Sequence, residues 1–239
     1  MKTPTIGALY EVCEATWPPA AATACGPWTI RDGKGGGQRV SAATARGDIT
    51  LSDVAQAEEA MQALGQDRLF MVRDGEAKLD ALLEGAGYRV FDPVAAYVCP
   101  VQTLCALPRP RVSGFSIWPP LEIMIDIWAQ GGIGPSRCQV MARTRGPKTA
   151  LLARKNDRAA GVAYLGIHDG IAMLHALEVA PDMRRLGVAR TLMGHAGHWA
   201  QQQGAHHLSL LVTRQNTAAN GLYASLGMEV VGHYHYRKR

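Results

Sequence analysis

Alternating apolar and polar positions in the second half of the chain predict short strands joined by tight turns. Asn156-Asp157-Arg158 and Asp169-Gly170 are the turn sequences that join the first three strands. Apolar residues then recur at helical spacing, and Gly204 ends that helix. The elements predicted for this half are a helix over 120–129, strands over 149–155, 161–167 and 171–179, a helix over 188–203, a strand over 207–213, a helix over 217–226 and a strand over 230–236.

The first half of the chain also alternates helical and strand-like patterns. Its predicted elements are a helix over 3–17, strands over 28–31 and 39–45 around a glycine-rich turn, a helix over 51–64, a strand over 69–73, a helix over 76–84 and an extended segment over 88–101 that Pro93 interrupts. Pro108 and Pro110 disfavour both a helix and a central strand. We therefore predict two domains, residues 1–107 and residues 108–239.

The two halves share a faint internal repeat. LLEGAGYRV, residues 82–90, lies over LYASLGMEV, residues 222–230, and shares Leu, Gly and Val in register. Leu83 stands in the first copy where Tyr223 stands in the second. Strands and helices are mixed in both copies, so the pattern predicts an α/β (α+β) fold present as two related halves.

A strand, a loop and the start of a helix follow one another after Pro181. Unpaired backbone N–H groups and the positive end of the helix dipole make such a helix start an anion site, and Gly187 lets a phosphate approach the backbone. Arg184 and Arg185 add positive charge. The segment lacks both the nucleoside-triphosphate loop pattern and the G-x-G-x-x-G spacing of dinucleotide folds.

The loop sequence LEVAPDMRRLGVA, residues 177–189, resembles the acetyl-CoA pyrophosphate loop of the GNAT superfamily of N-acetyltransferases. That loop has the pattern [RQ]-x-x-G-x-[GA] after a strand that ends in V-x-P. The alternative is a glycine that serves only packing at the start of the helix. The resemblance implies that the coenzyme diphosphate is bound by Arg184, Arg185, Leu186, Gly187, Val188 and Ala189.

A second segment resembles the family pattern N-x-x-A-x-x-L-Y-x-x-x-G, in the expected order after a strand. The matching residues are Asn216, Ala219, Leu222, Tyr223, Leu226 and Gly227. The resemblance implies a GNAT-type mixed, mostly antiparallel twisted sheet flanked by helices. It also implies that Asn216 binds the pantetheine arm, that Tyr223 is the general acid beside the coenzyme sulfur, and that the backbone of Leu177 and Val179 binds the acetyl carbonyl and pantetheine.

Transfer to an amine requires that the amine lose a proton, and two residues of the strand over 171–179 are candidates for the base. Family members often use a Glu of this strand, which favours Glu178, while His175 is the other candidate. Strict alternation along a strand predicts that their side chains point to opposite faces. A paired or solvated Glu and a hydrogen-bonded core His are the alternatives for the two residues.

Composition excludes several other classes. The 239 residues, 47% hydrophobic and 19% charged, contain no apolar run of the length that a membrane span needs and no secretory leader pattern, so we expect a cytoplasmic protein without membrane association. The five cysteines form no C-x-x-C pair, and the histidines near the helix over 188–203 have no carboxylate or cysteine at matching spacing, so no metal is expected. The net charge of +5 is dispersed, which argues against nucleic-acid binding.

These patterns together favour an acyltransferase that moves the acetyl group of its cosubstrate acetyl-CoA to an amine by direct attack. Its acceptor is a small-molecule amine or a peptide amine. The sequence leaves open whether the chain forms a homodimer. The first half is then a degenerate copy without its own coenzyme loop. The alternative is a noncatalytic acyl-CoA-binding sensor or regulatory protein, in which the coenzyme binds and nothing is transferred.

Overall fold

The computed structural model describes residues 2–239, which form two compact units. Unit 1 comprises residues 2–18, 96–212 and 217–231, and unit 2 comprises residues 19–95, 213–216 and 232–239. Each unit is therefore assembled from separate stretches of the chain. The predicted boundary between residues 107 and 108 rests on Pro108 and Pro110, and it stays a prediction.

The helices and strands follow the chain in a mixed order. The helices are α1 (Ile6–Thr16), α2 (Leu51–Ala63), α3 (Ala77–Gly85), α4 (Val101–Cys105), α5 (Glu122–Gln130), α6 (Pro135–Arg143), α7 (Val188–Gln202) and α8 (Thr217–Ser225). The strands are β1 (Ala21–Cys25), β2 (Trp28–Asp32), β3 (Thr44–Ala45), β4 (Leu69–Arg73), β5 (Arg89–Pro100), β6 (Gly114–Ile117), β7 (Lys148–Lys155), β8 (Arg158–His168), β9 (Ile171–Val179), β10 (His207–Thr213) and β11 (Glu229–Lys238). Single 3-10 turns occur at Gln38–Val40 and Pro181–Met183.

Unit 1 is built on a sheet in which β6, β7, β8, β9 and β10 are neighbours in that order. The pairs from β6 to β9 are antiparallel, whereas β9 and β10 are parallel and are connected through α7. A parallel pair needs such a crossover, because a tight turn only joins antiparallel strands. The long connection places the start of α7 just beyond the carboxyl end of β9.

Helices cover both faces of the unit 1 sheet, and two glycines of β8 show how closely they approach. A Cβ at Gly161 would lie 2.9 Å from the side chain of Val188 in α7, and one at Gly166 would lie 2.8 Å from Thr16 in α1. Residues 161 and 166 are an odd number apart, so α7 and α1 lie on opposite faces. Because both faces are covered, most of β8 is buried.

Unit 2 has its own apolar core and its own three-stranded antiparallel sheet, in the order β1-β2-β3. Trp28, Phe70 and Tyr88 pack together in this core, and the indole Nε1–H of Trp28 donates to the carbonyl oxygen of Asp53 at 2.8 Å. β4 pairs antiparallel with residues 234–238 of β11. The last residues of the chain thus belong to unit 2.

The predicted mixed fold with a mostly antiparallel sheet is confirmed, and the bounds predicted for β4, β9 and β10 agree with the structure. The predicted strand over 39–45 is wrong in its first part, because a 3-10 turn over Gln38–Val40 precedes the two-residue strand β3. Val40, Ala42 and Ala43 are buried, so their apolar character resembled a strand. The stretch before residue 145, which had no assigned structure, contains α6, and Pro135 is at its start.

Candidate active site

The loop between β9 and α7 leaves the helix start open. Gly187 is the residue before the helix, with φ +82°, and no side chain caps the helix there. The first backbone hydrogen bond of this helix start runs from the N–H of Thr191 to the carbonyl oxygen of Gly187, at 3.0 Å. The N–H groups before Thr191 therefore have no acceptor within the helix. A Cβ at Gly187 would meet no described heavy atom within 4 Å. The turn therefore combines free donors with open space.

Charge around the loop is organised by two ion pairs. Arg184 Nη2 lies 3.1 Å from Glu178 Oε1, and its Nε donates to the carbonyl oxygen of Val179 at 3.2 Å. Arg158 pairs with Asp182 at 3.0 Å. Arg184 is therefore anchored to the end of β9 rather than to the helix start. The positive end of the α7 dipole remains available to an anion.

β9 leaves its neighbour β10 before either strand ends. Their parallel pairing runs from the pair Ile171 and His207 to the pair Leu174 and Leu210. β9 then continues to Val179, where it still pairs with Gly161 of β8. The backbone of β9 beyond Leu174 is thus open on the side of β10. Leu177 and Val179, the residues predicted to bind the acetyl group, lie in this half-buried stretch.

A β-bulge at Ala176 changes the faces of β9. Tyr164 opposes His175 and Val162 opposes Glu178, so a step of two residues along β8 matches a step of three residues along β9. Ala176 has φ +51°, the left-handed backbone typical of such a bulge. The prediction that His175 and Glu178 point to opposite faces is therefore wrong. The inserted residue brings both side chains to the face of Tyr164 and Val162.

His175 is a core residue of unit 1, only 3% exposed. Its Nε2 lies 2.8 Å from the hydroxyl oxygen of Thr16, and that hydroxyl donates to the carbonyl oxygen of Val12 at 2.7 Å. Because the single hydroxyl proton is used there, Nε2 of His175 carries the proton and donates to Thr16. The Trp17 ring stacks on the imidazole at 4.9 Å. These contacts fit the hydrogen-bonded core histidine that was the alternative for this position.

Glu178 lies at the edge of the opened stretch of β9, with 21% of its side chain exposed. A Cβ added at Gly131, the residue after α5, would lie 2.4 Å from the Glu178 Cγ and Cδ atoms. The carboxylate therefore occupies a slot between Gly131 and Arg184. It is at once ion-paired and accessible to a water molecule from outside.

Tyr223 is buried in α8, at 5% exposure, and its ring lies 5.7 Å from that of Tyr97. Burial, and then the neighbouring Tyr97, raise the pKa of Tyr223 to about 12. The hydroxyl of Tyr97 itself donates to Asn220 Oδ1 at 3.0 Å. Tyr223 thus keeps its proton throughout the neutral pH range, as a donor must.

Asn216 is exposed, and its backbone N–H donates to the carbonyl oxygen of Thr213 at 3.1 Å. It belongs to the short stretch 213–216 of unit 2, whereas Gly187, Glu178 and Tyr223 belong to unit 1. Its predicted role toward pantetheine stays a prediction. Within residues 2–239, no group of three or more His, Cys, Asp or Glu side chains is suited to hold a metal ion, and no helix is long and apolar enough to cross a bilayer.

Two residues near β9 gave no signal in the sequence. Trp128 of α5 is fully buried, and its Nε1–H donates to the carbonyl oxygen of Ala176 at 2.8 Å. Gly131 makes room for Glu178. Both contacts join segments more than forty residues apart, and such distant contacts leave no trace in local periodicity.

Comparison with known proteins finds related sequences and related folds. Residues 121–228 match the sequence model of the acetyltransferase (GNAT) family. The uncharacterized N-acetyltransferase YobR of Bacillus subtilis (strain 168) is 23% identical over 238 residues, which cover 96% of each chain.

Solved structures share the fold. A GCN5-related N-acetyltransferase from Kribbella flavida superposes with a TM-score of 0.71 at 15% identity, covering 97% of this chain and 94% of that chain. A tandem GNAT protein from the clavulanic acid biosynthesis pathway superposes with a TM-score of 0.61 at 13% identity, covering 83% of this chain and 74% of that chain. At these identities the likeness concerns the fold.

Proposed function

We propose that the protein transfers the acetyl group of acetyl-CoA to an amine, since residues 121–228 match the acetyltransferase (GNAT) family that the loop and the second signature resemble. The observation that carries this proposal is the uncapped start of α7 at Gly187, placed where β9 leaves β10. The turn supplies donors for a diphosphate. The opened strand supplies donors for a carbonyl oxygen.

Binding of the coenzyme diphosphate falls to the backbone of the turn. The N–H groups at Gly187, Val188 and Ala189 face an anion, and the helix dipole adds to the attraction. Gly187 has no side chain to block the approach. Arg185 lies in the same turn with φ +62°, and its charge contributes at longer range.

The backbone of Leu177 and Val179 serves the acetyl group. The carbonyl oxygen gains negative charge as the amine attacks, and fixed N–H donors near that oxygen stabilise the charge. These donors cost no reorganisation during the reaction, because the strand is held by its pairing with β8. The pantetheine arm can extend along the same open edge of β9.

Glu178 is the preferred base. An amine attacks only when it is neutral, so its proton must go to a nearby acceptor or to water. Glu178 lies at the opened edge of β9, whereas His175 is buried and its Nε2 proton is engaged with Thr16. Arg184 holds the carboxylate in place through the ion pair at 3.1 Å.

Tyr223 acts on the departing sulfur. A hydroxyl whose pKa is about 12 gives up its proton to a thiolate with difficulty, since the ordinary thiol value is about 8.5. Tyr223 therefore stabilises the developing thiolate mainly as a hydrogen-bond donor. The proton released by the amine can then reach the sulfur and balance the reaction.

Turnover tests the proposal against the noncatalytic sensor. Acetyl-CoA is mixed with the protein and a panel of small-molecule and peptide amines, and free coenzyme A is measured with a thiol reagent. Release that depends on one amine class supports the transferase and identifies the acceptor. Tight binding of acetyl-CoA without release across the panel would instead favour the sensor.

A further inference from the structure

Within unit 1, a hydrogen bond joins Trp128 of α5 to the bulge of β9. The indole of Trp128 is fully buried, and its Nε1–H donates to the carbonyl oxygen of Ala176 at 2.8 Å. Ala176 is the bulge residue, with φ +51°. An alanine in this left-handed conformation is unfavourable by itself, so surrounding contacts must hold it. The hydrogen bond from Trp128 is such a contact.

The bulge determines which face of β9 the next residues occupy. With the extra residue, Glu178 opposes Val162 and lies on the same face as His175 and α5. Without it, every residue after Ala176 would turn to the other face, because side chains alternate with a period of two. Glu178 would then leave its slot beside Gly131. The N–H groups of Leu177 and Val179 would also change direction.

We propose that Trp128 is a positioning residue that holds the β9 bulge in place, and through the bulge sets the direction of the Leu177 and Val179 amides and of Glu178. This inference rests on the proposed acetyl transfer for its functional meaning. Trp128 contacts neither substrate nor coenzyme in this scheme. Its effect passes through a single backbone carbonyl.

Trp128→Phe removes the donor and keeps most of the ring. The chain offers a matched control in Trp28, which is equally buried in unit 2 and donates to the carbonyl oxygen of Asp53 at the same 2.8 Å. Both variants lose one buried indole N–H that donates to a backbone carbonyl oxygen. A general loss of packing or stability would therefore affect them alike.

We expect Trp128→Phe to lower kcat about tenfold or more below that of Trp28→Phe, because small displacements of donors at a reacting centre have large effects. The dissociation constant of coenzyme A should change less than kcat does, since the turn at Gly187 that binds the diphosphate is untouched. Ala176→Gly, introduced into Trp128→Phe, should restore part of the lost kcat, because glycine adopts positive φ without strain. Equal kcat values for the two phenylalanine variants in an active protein would overturn the proposal.

Hydrogen exchange of the β9 amides gives a readout that does not depend on turnover. Exchange at residues 176–179 should be faster in Trp128→Phe than in the wild type, and unchanged in Trp28→Phe. If the wild type transfers no acetyl group, the proposed function fails while exchange still decides the role of Trp128. Unchanged exchange in Trp128→Phe would show that the bulge does not need this donor.

Discussion

Two glycines at the ends of α7 have nearly the same backbone φ angle, but only one of them lies at the proposed coenzyme site. Gly187 has φ +82° and precedes the helix, and Gly204 has φ +80° and follows it. A Cβ at either position would meet no described atom within 4 Å. Alanine should therefore cost the same backbone strain at both ends. Only at Gly187 would the methyl group enter the space of a bound phosphate.

Gly187→Ala and Gly204→Ala should each lower the free energy of unfolding by about 1 kcal/mol, because a non-glycine residue is strained at positive φ. Gly187→Ala should in addition weaken coenzyme A binding by about tenfold or more, since the amides of the turn become less accessible. Calorimetric titration and urea unfolding measure the two effects. Equal affinities in the two variants would contradict a diphosphate site at this turn.

Tyr223→Phe should lower kcat by about 10- to 100-fold with little change in the affinity for coenzyme A. Tyr97→Phe removes the adjacent hydroxyl that donates to Asn220, and it should lower kcat less than Tyr223→Phe does. Because the pKa of Tyr223 is about 12, its ionisation should not lower kcat below about pH 11. A pH profile of kcat for both variants and the wild type tests this.

The raised pKa of Tyr223 also has a consequence for stability. Its folded value lies above the ordinary value of 10.0, so the unfolded chain loses this proton first. The contribution to stability is full below pH 10 and disappears as the pH rises toward 12. Denaturant titrations should show that the wild type loses more stability than Tyr223→Phe across this interval.

At the scale of elements, the bounds of β9 were predictable and its shape was not. Alternation and the turn at Asp169-Gly170 predict Ile171–Val179, in agreement with the structure. The bulge occurs at an alanine, whereas glycine is the usual sign of a left-handed bulge residue. The faces of His175 and Glu178 were therefore wrongly predicted. The bulge residue Ala176 accepts a hydrogen bond from Trp128, a contact that is distant in sequence.

Gly131→Ala tests whether α5 makes room for the base. The backbone at Gly131 has φ −83°, so alanine is tolerated, but its methyl carbon would lie 2.4 Å from the Glu178 side chain. Glu178 must then move, and kcat/KM for the amine should fall about tenfold, with little change in stability. Gly134→Ala is the matched control, because Gly134 also has φ −83° and open space around its Cβ position. Equal kcat/KM values in the two variants would count against Glu178 as the base.

In unit 2, an ion-pair cluster fixes the end of β11 to α3. Asp80 Oδ1 lies 2.7 Å from both Arg237 Nε and His235 Nε2, and Arg237 is 4% exposed. The pKa of Asp80 lies below its ordinary value. The hydrogen bond from Arg237 lowers it most, burial opposes this effect, and His235 lowers it further. The ionised carboxylate therefore stabilises the folded state.

Asp80→Asn should lower the free energy of unfolding by about 2 kcal/mol at neutral pH, since Arg237 loses a charged hydrogen-bond partner. The depressed pKa means that this stabilisation is present above the ordinary carboxyl value and is lost as the pH falls below about 4. The difference from the wild type should therefore shrink in acid. Asp67→Asn, which breaks the exposed pair with Lys238, should have almost no effect at either pH.

At the scale of the whole molecule, local pattern predicted much of the fold, and the exceptions have physical causes. Four of the five residues of β1 are exposed, so that strand shows no alternation. Buried alanines and a valine around residues 40–43 imitate a strand although the backbone turns there. The helix start at Gly187 was predicted from local chemistry alone. Contacts such as those of Trp128 and Gly131 required the folded chain.

The chain should bind one equivalent of coenzyme A. Only the second half contains the turn with Gly187, and the first half has Leu83 where Tyr223 stands. Calorimetric titration should give a stoichiometry near one, and saturating coenzyme should raise the melting temperature. A stoichiometry of two would show that the first half is not degenerate.

The discontinuous make-up of the two units affects how the gene could be divided. α1 belongs to unit 1 and packs against β8 and β9, and Thr16 bonds to His175, whereas residues 232–239 complete unit 2. A polypeptide of residues 108–239 would lack α1. It would also contain residues 232–239 without most of unit 2, to which they belong. The two fragments 1–107 and 108–239 should consequently regain acetyl transfer only when they are co-expressed and reassemble, as in a split reporter.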